Sequence, residues 1–243
     1  MNLNIEWQGN LPLENIKWGR MLCSEYLLPP ELDEERKIYW KDHLKENPTD
    51  YDGNLLFLER FDYRNDELIL DIGLISFSTV VFMARNKLSV DKGVGMLGIQ
   101  CLIFSPCHNY ILVGERPLSQ PYYPGAITVP GGMLELEDIE MTPKEALLRE
   151  IYEETPFQFH HSISLEAILS GWNNVSVTFL TSVTIMEDYN FDPSDIIKGD
   201  KKEWENNLRW LPIEELKSIS PNKLLDGLLF YQKRIFEQNK TSN

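Results

Sequence analysis

Residues 142–156 constrain the fold more than any other stretch, because both ends of a helix are written into them. Thr142 is suited to the N-cap, Pro143 to the first helical position and Glu145 to a reciprocal capping box. Pro156 disfavours helical geometry at Thr155, which predicts an end near Glu154. At about 100° per residue, Leu147, Leu148, Ile151 and Tyr152 fall on one arc, and Glu150, Glu153 and Glu154 on the neighbouring arc. One face therefore packs while the next is wholly anionic.

That anionic face works against local stability. Like charges three or four residues apart repel by about 0.2–0.5 kcal/mol per pair, and a carboxylate in the last turn meets the negative end of the helix dipole at a cost of about 0.3–1 kcal/mol. A solvated acidic face is the plain alternative. A nearby cation would reverse both penalties, and Mg²⁺ prefers carboxylate oxygen while keeping sites for water and phosphate. The turn Pro130-Gly131-Gly132 precedes the helix, and its glycines permit unusual backbone angles and close approach to a ligand. Arg149 lies at i+4 from Glu145 and i−4 from Glu153, where it reads as a structural tie through ion pairs.

Composition narrows the partners. The 243 residues carry a formal charge of −15, with 42% hydrophobic and 25% charged residues, so a folded soluble protein is expected. Such a charge argues against nucleic acid, whose binding relies on Lys and Arg to neutralise phosphates. A phosphate ligand would need local positive charge, and a divalent metal is the most economical source. The apolar run 68–81 is broken by Asp71, Gly73, Ser76 and Ser78 and falls short of the roughly 20 residues of a membrane span. Met1-Asn2-Leu3-Asn4-Ile5-Glu6-Trp7 lacks the basic start and apolar run of a signal peptide, which makes the cytoplasm the expected location. Cys23, Cys101 and Cys107 fit neither a disulfide framework nor a CxxC metal site.

Along the chain, residues 1–95 read as an N-terminal extension or small β-rich domain and residues 96–243 as a second unit, with 87–95 as the boundary. A charged helix is predicted over 31–45 after Pro29-Pro30, with Leu32, Ile38, Tyr39 and Leu44 inward. Two strands, 55–63 and 67–77, flank a turn at Arg64-Asn65-Asp66. Strands follow at 97–104, 110–115, 126–129, 164–171 and 175–185, then a short helix starting at Trp210 and an amphipathic helix over 221–238. Strands with helices on both sides imply an α/β or α+β sandwich.

Gly131-Gly132-Met133-Leu134-Glu135 followed by Arg149-Glu150-Ile151-Tyr152-Glu153-Glu154 resembles the Nudix box, G-x5-E-x7-R-E-U-x-E-E-x-G-U with U apolar. Arg116 with Tyr123-Pro124-Gly125-Ala126 before it, and residues 208–216 after it, are similar to flanks common in that family. Gly132 and Arg149 lie about three residues further apart than in the family, so the intermediate acid stays open among Glu137, Asp138 and Glu140; Pro156 stands where the family has glycine. The resemblance implies an α/β/α Nudix fold and a Mg²⁺-dependent hydrolase, with Mn²⁺ as the alternative ion. It would cut the diphosphate of a nucleoside diphosphate derivative.

By that likeness Glu150, Glu153 and Glu154 are the metal ligands, with Glu150 dividing between ligand and base. Glu150, Glu154 and Arg149 form the catalytic set, and Arg116, Gly132 and Glu135 contact substrate. Glu203 or Glu205 would supply a base from a later loop, and Tyr122, Tyr123 and Trp172 a stacking surface. The N-terminal extension resembles the UDP-sugar branch, which points to a nucleotide sugar of the UDP-glucose type. Such extensions serve dimerisation or substrate selection, so a homodimer is one expectation. ADP-ribose or another nucleotide is the second substrate reading. A non-catalytic nucleotide sensor on the same fold is a third, and the isopentenyl diphosphate isomerase branch is disfavoured because Cys107-His108 makes a poor match to its cysteine site.

Overall fold

The computed structural model describes residues 3–48, 50–91, 93–118, 123–157, 159, 163–171, 175–186, 191–197 and 208–241, with the backbone alone for 22–24 and 238–241. The chain runs β1 (Asn4–Pro12), β2 (Ile16–Glu25), α1 (Pro30–Glu46), β3 (Asn54–Arg64), β4 (Glu67–Ser76) and α2 (Phe77–Arg85). It continues through β5 (Gly95–Phe104), β6 (Tyr110–Glu115), β7 (Ile127–Thr128), α3 (Pro143–Glu154), β8 (Ser164–Gly171) and β9 (Ser176–Thr184). The last elements are β10 (Ile196–Ile197), β11 (Leu208–Pro212), α4 (Ile213–Leu216) and α5 (Asp226–Thr241).

One sheet organises the molecule, with strand order β1-β8-β9-β5-β3-β4-β2 and β6 branching from β5 towards β7 and β11. β5 lies at its centre, parallel to β9 from Met96↔Ser176 to Phe104↔Thr184. Alternation along β5 separates two cores, because successive side chains point to opposite faces. Leu97, Ile99, Cys101 and Ile103 pack with Leu147 and Ile151 of α3. Leu102 and Phe104 pack with Leu228 and Leu229 of α5. The result is helix, sheet, helix, the mixed α/β sandwich that the pattern implies.

The segment before β5 contributes strands on both flanks. β1 pairs antiparallel with β8, while β3 pairs with β5 at Phe57↔Met96 and Leu58↔Gly95. The β3–β4 hairpin turns at Asn65 (φ 52°) and Asp66 (φ 58°), the left-handed pair favoured in tight hairpins.

The strand predicted over 67–77 ends at Ser76, and a helix not anticipated from the sequence follows: α2, whose start is held from Asp52, with Ser78 N donating to Oδ1 at 2.8 Å and Ser78 Oγ to Oδ2 at 2.7 Å. Two expectations are corrected. In α1 the buried side chains are Trp40 and His43, while Ile38 is 66% exposed. Trp40 sits edge-on to Phe77 at the head of α2 at 5.9 Å, so the partner helix decides which face turns inward. Finally, Trp210 belongs to a strand, not a helix: it pairs with Leu112 of β6, and helical geometry starts only after Pro212.

Candidate active site

The start of α3 forms as its sequence dictates. Thr142 N donates to Glu145 Oε2 at 2.8 Å, and Glu145 N donates to Thr142 Oγ1 at 3.3 Å. Its apolar stripe, Ala146, Leu147 and Ile151, is buried against β5. That packing rotates Glu150 (9% exposed) and Glu154 (8% exposed) towards residues 130–134, leaving Glu153 more open.

The 130–134 segment is pinned along β5 by backbone hydrogen bonds: Cys101 N to Pro130 O at 2.8 Å, Ile99 N to Gly132 O at 2.9 Å and Leu134 N to Leu97 O at 3.0 Å. Gly131 is required by the backbone, and Gly132 leaves the space that the Glu150 carboxylate occupies. Gly131 has φ 153°, and a Cβ there would collide with the Ile99 carbonyl. A Cβ at Gly132 would collide with the Glu150 carboxylate. The glycines thus bring backbone and acid into contact, and Gly131 N donates to Glu154 Oε2 at 2.7 Å.

Arg149 ties α3 to the turn at 136–140. Its Nε donates to Asp138 Oδ1 and one terminal nitrogen to Asp138 Oδ2, both at 2.8 Å, a bidentate pair with a carboxylate that is 2% exposed. The same nitrogen contacts Glu150 Oε1, and the other donates to Glu153 Oε1 at 2.9 Å. Asp138 also accepts from Glu135 N at 2.8 Å. Asp138 is thereby the acid that answers Arg149, which the sequence left open among three candidates. It stands six residues after Gly132, the box spacing, so the extra residues fall between Asp138 and Arg149. Glu135 is braced from the N-terminal segment: Tyr51 Oη donates to its Oε1 at 2.7 Å, and Leu56 N donates to Leu134 O at 2.8 Å.

These groups open onto a cavity of about 550 Å³ lined by Arg116, Gly131, Gly132, Glu135, Arg149, Glu150, Glu153 and Glu154. A second part of its lining holds Gln100, Tyr123, Thr128, Thr178, Leu225 and Asp226, none of which except Tyr123 stood out in the sequence. Burial pushes the Glu150 carboxyl up to about 7, against the lowering pull of Arg149. Burial likewise raises Asp226 to about 6. Tyr122, Trp172, Glu203 and Glu205 lie outside the described residues.

The three glutamates share the cavity but not a single focus. Among the described residues no group of three or more His, Cys, Asp or Glu converges to hold a metal ion. Each acid answers a different donor: Glu150 and Glu153 two nitrogens of Arg149, and Glu154 the Gly131 amide. The donor set nevertheless fits a hard cation. Four carboxylates, Glu135, Glu150, Glu153 and Glu154, line the Gly131-Gly132 part of the cavity and a fifth, Asp226, the other part, with no thiol or imidazole among the lining residues, the chemistry that suits Mg²⁺ or Mn²⁺.

No curated protein sequence matches the chain at a significant level. Solved structures that resemble it do so at low identity. The NUDIX domain of Shewanella oneidensis NrtR, complexed with ADP ribose, is 16% identical with a TM-score of 0.45, over 59% of this chain and 88% of that one. MutT protein from Methanosarcina mazei Go1 is 16% identical with a TM-score of 0.41, over 63% and 99%. A bifunctional NMN adenylyltransferase/ADP ribose pyrophosphatase from Francisella tularensis is 15% identical with a TM-score of 0.43, over 66% of this chain and 46% of that one. Residues 96–229 match the sequence profile of the NUDIX domain. That match spans more than half of the chain, from β5 to α5 and including the whole α3 wall, and the chain therefore belongs to the Nudix family of diphosphate hydrolases.

Proposed function

We propose that this hydrolase uses Mg²⁺ to cut the diphosphate of a nucleoside diphosphate joined to a second group, with a nucleotide sugar of the UDP-glucose type as first substrate and ADP-ribose as second. The observation that carries the reading is the meeting of buried Glu150 and Glu154 with the Gly131-Gly132 backbone on one cavity wall. A cavity of about 550 Å³ has the size of a small-molecule site.

Glu153 and Glu154 would hold the ion, and Glu150 would serve as a further ligand or as the base that orients water. When bound, the ion supplies charge neutralisation of the diphosphate and a lowered pKa for the attacking water. Arg116 faces the same space and offers a guanidinium fork to phosphate oxygens. Gly132 and Glu135 form the wall that the substrate lies against. Arg149 acts through the carboxylates it holds, as a positioning residue rather than as a group that touches the reacting atoms. The N-terminal segment serves the site from behind, through Tyr51 on Glu135. The described elements include no helix long and apolar enough to cross a membrane, and the cytoplasm remains the location we propose.

The test is a hydrolysis screen of UDP-glucose, ADP-ribose, dinucleoside polyphosphates and nucleoside triphosphates, with and without Mg²⁺. Wild-type protein is expected to cleave the sugar-linked diphosphates only with the ion, and Glu154→Gln to lose roughly a hundredfold or more in kcat. If wild type and variant are equally inert while a nucleotide still binds, the protein is a sensor and not an enzyme.

A further inference from the structure

We infer that Asp226 recognises the non-phosphate part of the ligand, by accepting a hydrogen bond from an N–H or O–H donor on its base or sugar. The inference rests on the cavity being the substrate site proposed above.

Asp226 opens α5 and lines the same cavity as the α3 acids. It is 4% exposed, and its Oδ1 is buried with no hydrogen-bond partner. Its place in the first turn of α5 favours a carboxylate, but no capping hydrogen bond satisfies Oδ1. The amide that follows it, Gly227 N, is taken by Gln100 Oε1 at 2.8 Å. The other carboxylate oxygen rests against Gly171, where a Cβ would collide with it, so the group is packed in place. A buried acceptor left unmatched lowers the stability of the fold, and groups that break the rules of the core in this way concentrate at functional sites. The site is also already desolvated: Thr128 (4% exposed) and Thr178 (8% exposed) line the cavity with it.

The sign of the charge selects the ligand class. A carboxylate repels phosphate, so Asp226 turns the diphosphate towards the α3 wall and Arg116 and admits the donor-bearing end to its own side. Orientation is thereby set by repulsion as well as attraction. Nucleobases and sugars both carry such donors, and the two sources are separable by experiment.

The probes are UMP, AMP, glucose 1-phosphate and inorganic pyrophosphate, titrated into the full chain by calorimetry, alongside thermal unfolding of the ligand-free protein. Asp226→Ala is expected to weaken binding of the donor-bearing probes about tenfold or more, with Asp226→Asn intermediate and pyrophosphate unaffected. Loss confined to UMP and AMP assigns the donor to the nucleoside; loss confined to glucose 1-phosphate assigns it to the sugar. Ligand-free Asp226→Asn should raise Tm by about 2–4 °C, since it neutralises a buried group without changing its shape. Gly171→Ala, which presses on the carboxylate without removing it, should weaken the same probes. Unchanged binding in both Asp226 variants, or a lower Tm in Asp226→Asn with affinity intact, overturns the inference and leaves the hydrolase reading standing. Wild-type protein that binds none of the probes in the presence of Mg²⁺ overturns the inference, and if it also cleaves none of the screened diphosphates the hydrolase reading falls with it.

Discussion

Glu145 and Glu150 lie on the same helix, and α3 treats them in opposite ways. Glu145 is exposed at the positive end of the helix dipole and accepts from Thr142 N at 2.8 Å and Thr142 Oγ1 at 2.9 Å. Those hydrogen bonds hold its carboxyl below the ordinary value of 4.5. Glu150 is buried near the negative end, and desolvation pushes its carboxyl up to about 7 although Arg149 touches it. The start of α3 is therefore built from interactions that favour the helix. Its end gathers carboxylates that the helix alone would disfavour, and they persist because Arg149, Gly131 and the β5 backbone hold them there.

If that contrast is right, the largest effect should come from breaking the clamp. Arg149→Met leaves the Asp138 carboxylate buried without its partner and should cost about 3–5 kcal/mol of stability in denaturant unfolding. Arg149→Lys should recover only part of it, since an ammonium cannot make the bidentate pair. Next in size, Gly132→Ala displaces the Glu150 carboxylate without touching the helix. It should lower kcat by about 10–100-fold, the scale of losing support behind a catalytic group, while circular dichroism stays native. A loss of fold instead would mean that the glycine serves packing alone. At the other end, Thr142→Ala should cost about 1 kcal/mol and leave kcat/KM unchanged; a fall in kcat/KM would erase the division between the two ends.

The smallest effect is in pH dependence, measured on chelator-treated protein. Glu145 has a lowered folded pKa, so its contribution to stability is present above 4.5 and lost as pH falls through the folded value. Glu150 has a raised folded pKa, so its contribution is present below 4.5 and lost as pH rises through about 7. The Tm advantage of Glu150→Gln over wild type should grow between those values. The Tm deficit of Glu145→Gln should shrink on acidification. Parallel curves for the two variants would refute the contrast.

Legibility in the sequence followed the range of the interaction. Thr142, Pro143 and Glu145 predicted the helix start because every partner lies within one turn. The β3–β4 turn was equally readable, since Asn65 and Asp66 tolerate the backbone angles it needs. The strand end near Ser76 was legible, but helix α2 after it was hidden because its apolar residues suit a buried strand or a buried helix equally, and Asp52, far back in the chain, tips the balance. Asp138 had a signal that was present but unused: the spacing from Gly132 holds, and the extra residues fall after it. Asp226 carried a weaker one, an acid inside the apolar stretch Leu224, Leu225, Leu228, Leu229.

The sequence by itself determined that residues 142–156 form a capped helix with one packing face and one acidic face, since capping and helical periodicity are local. It also determined the close approach at Gly131-Gly132, because only glycine leaves that space free. Tertiary structure decided what those acids face. The choice of Asp138 as partner of Arg149, the support of Glu135 by Tyr51 and the burial of Asp226 against Gly171 depend on the sheet bringing distant segments together. The physical reason is that burial, and with it the energy of a charge, is a property of the surroundings and not of the residue.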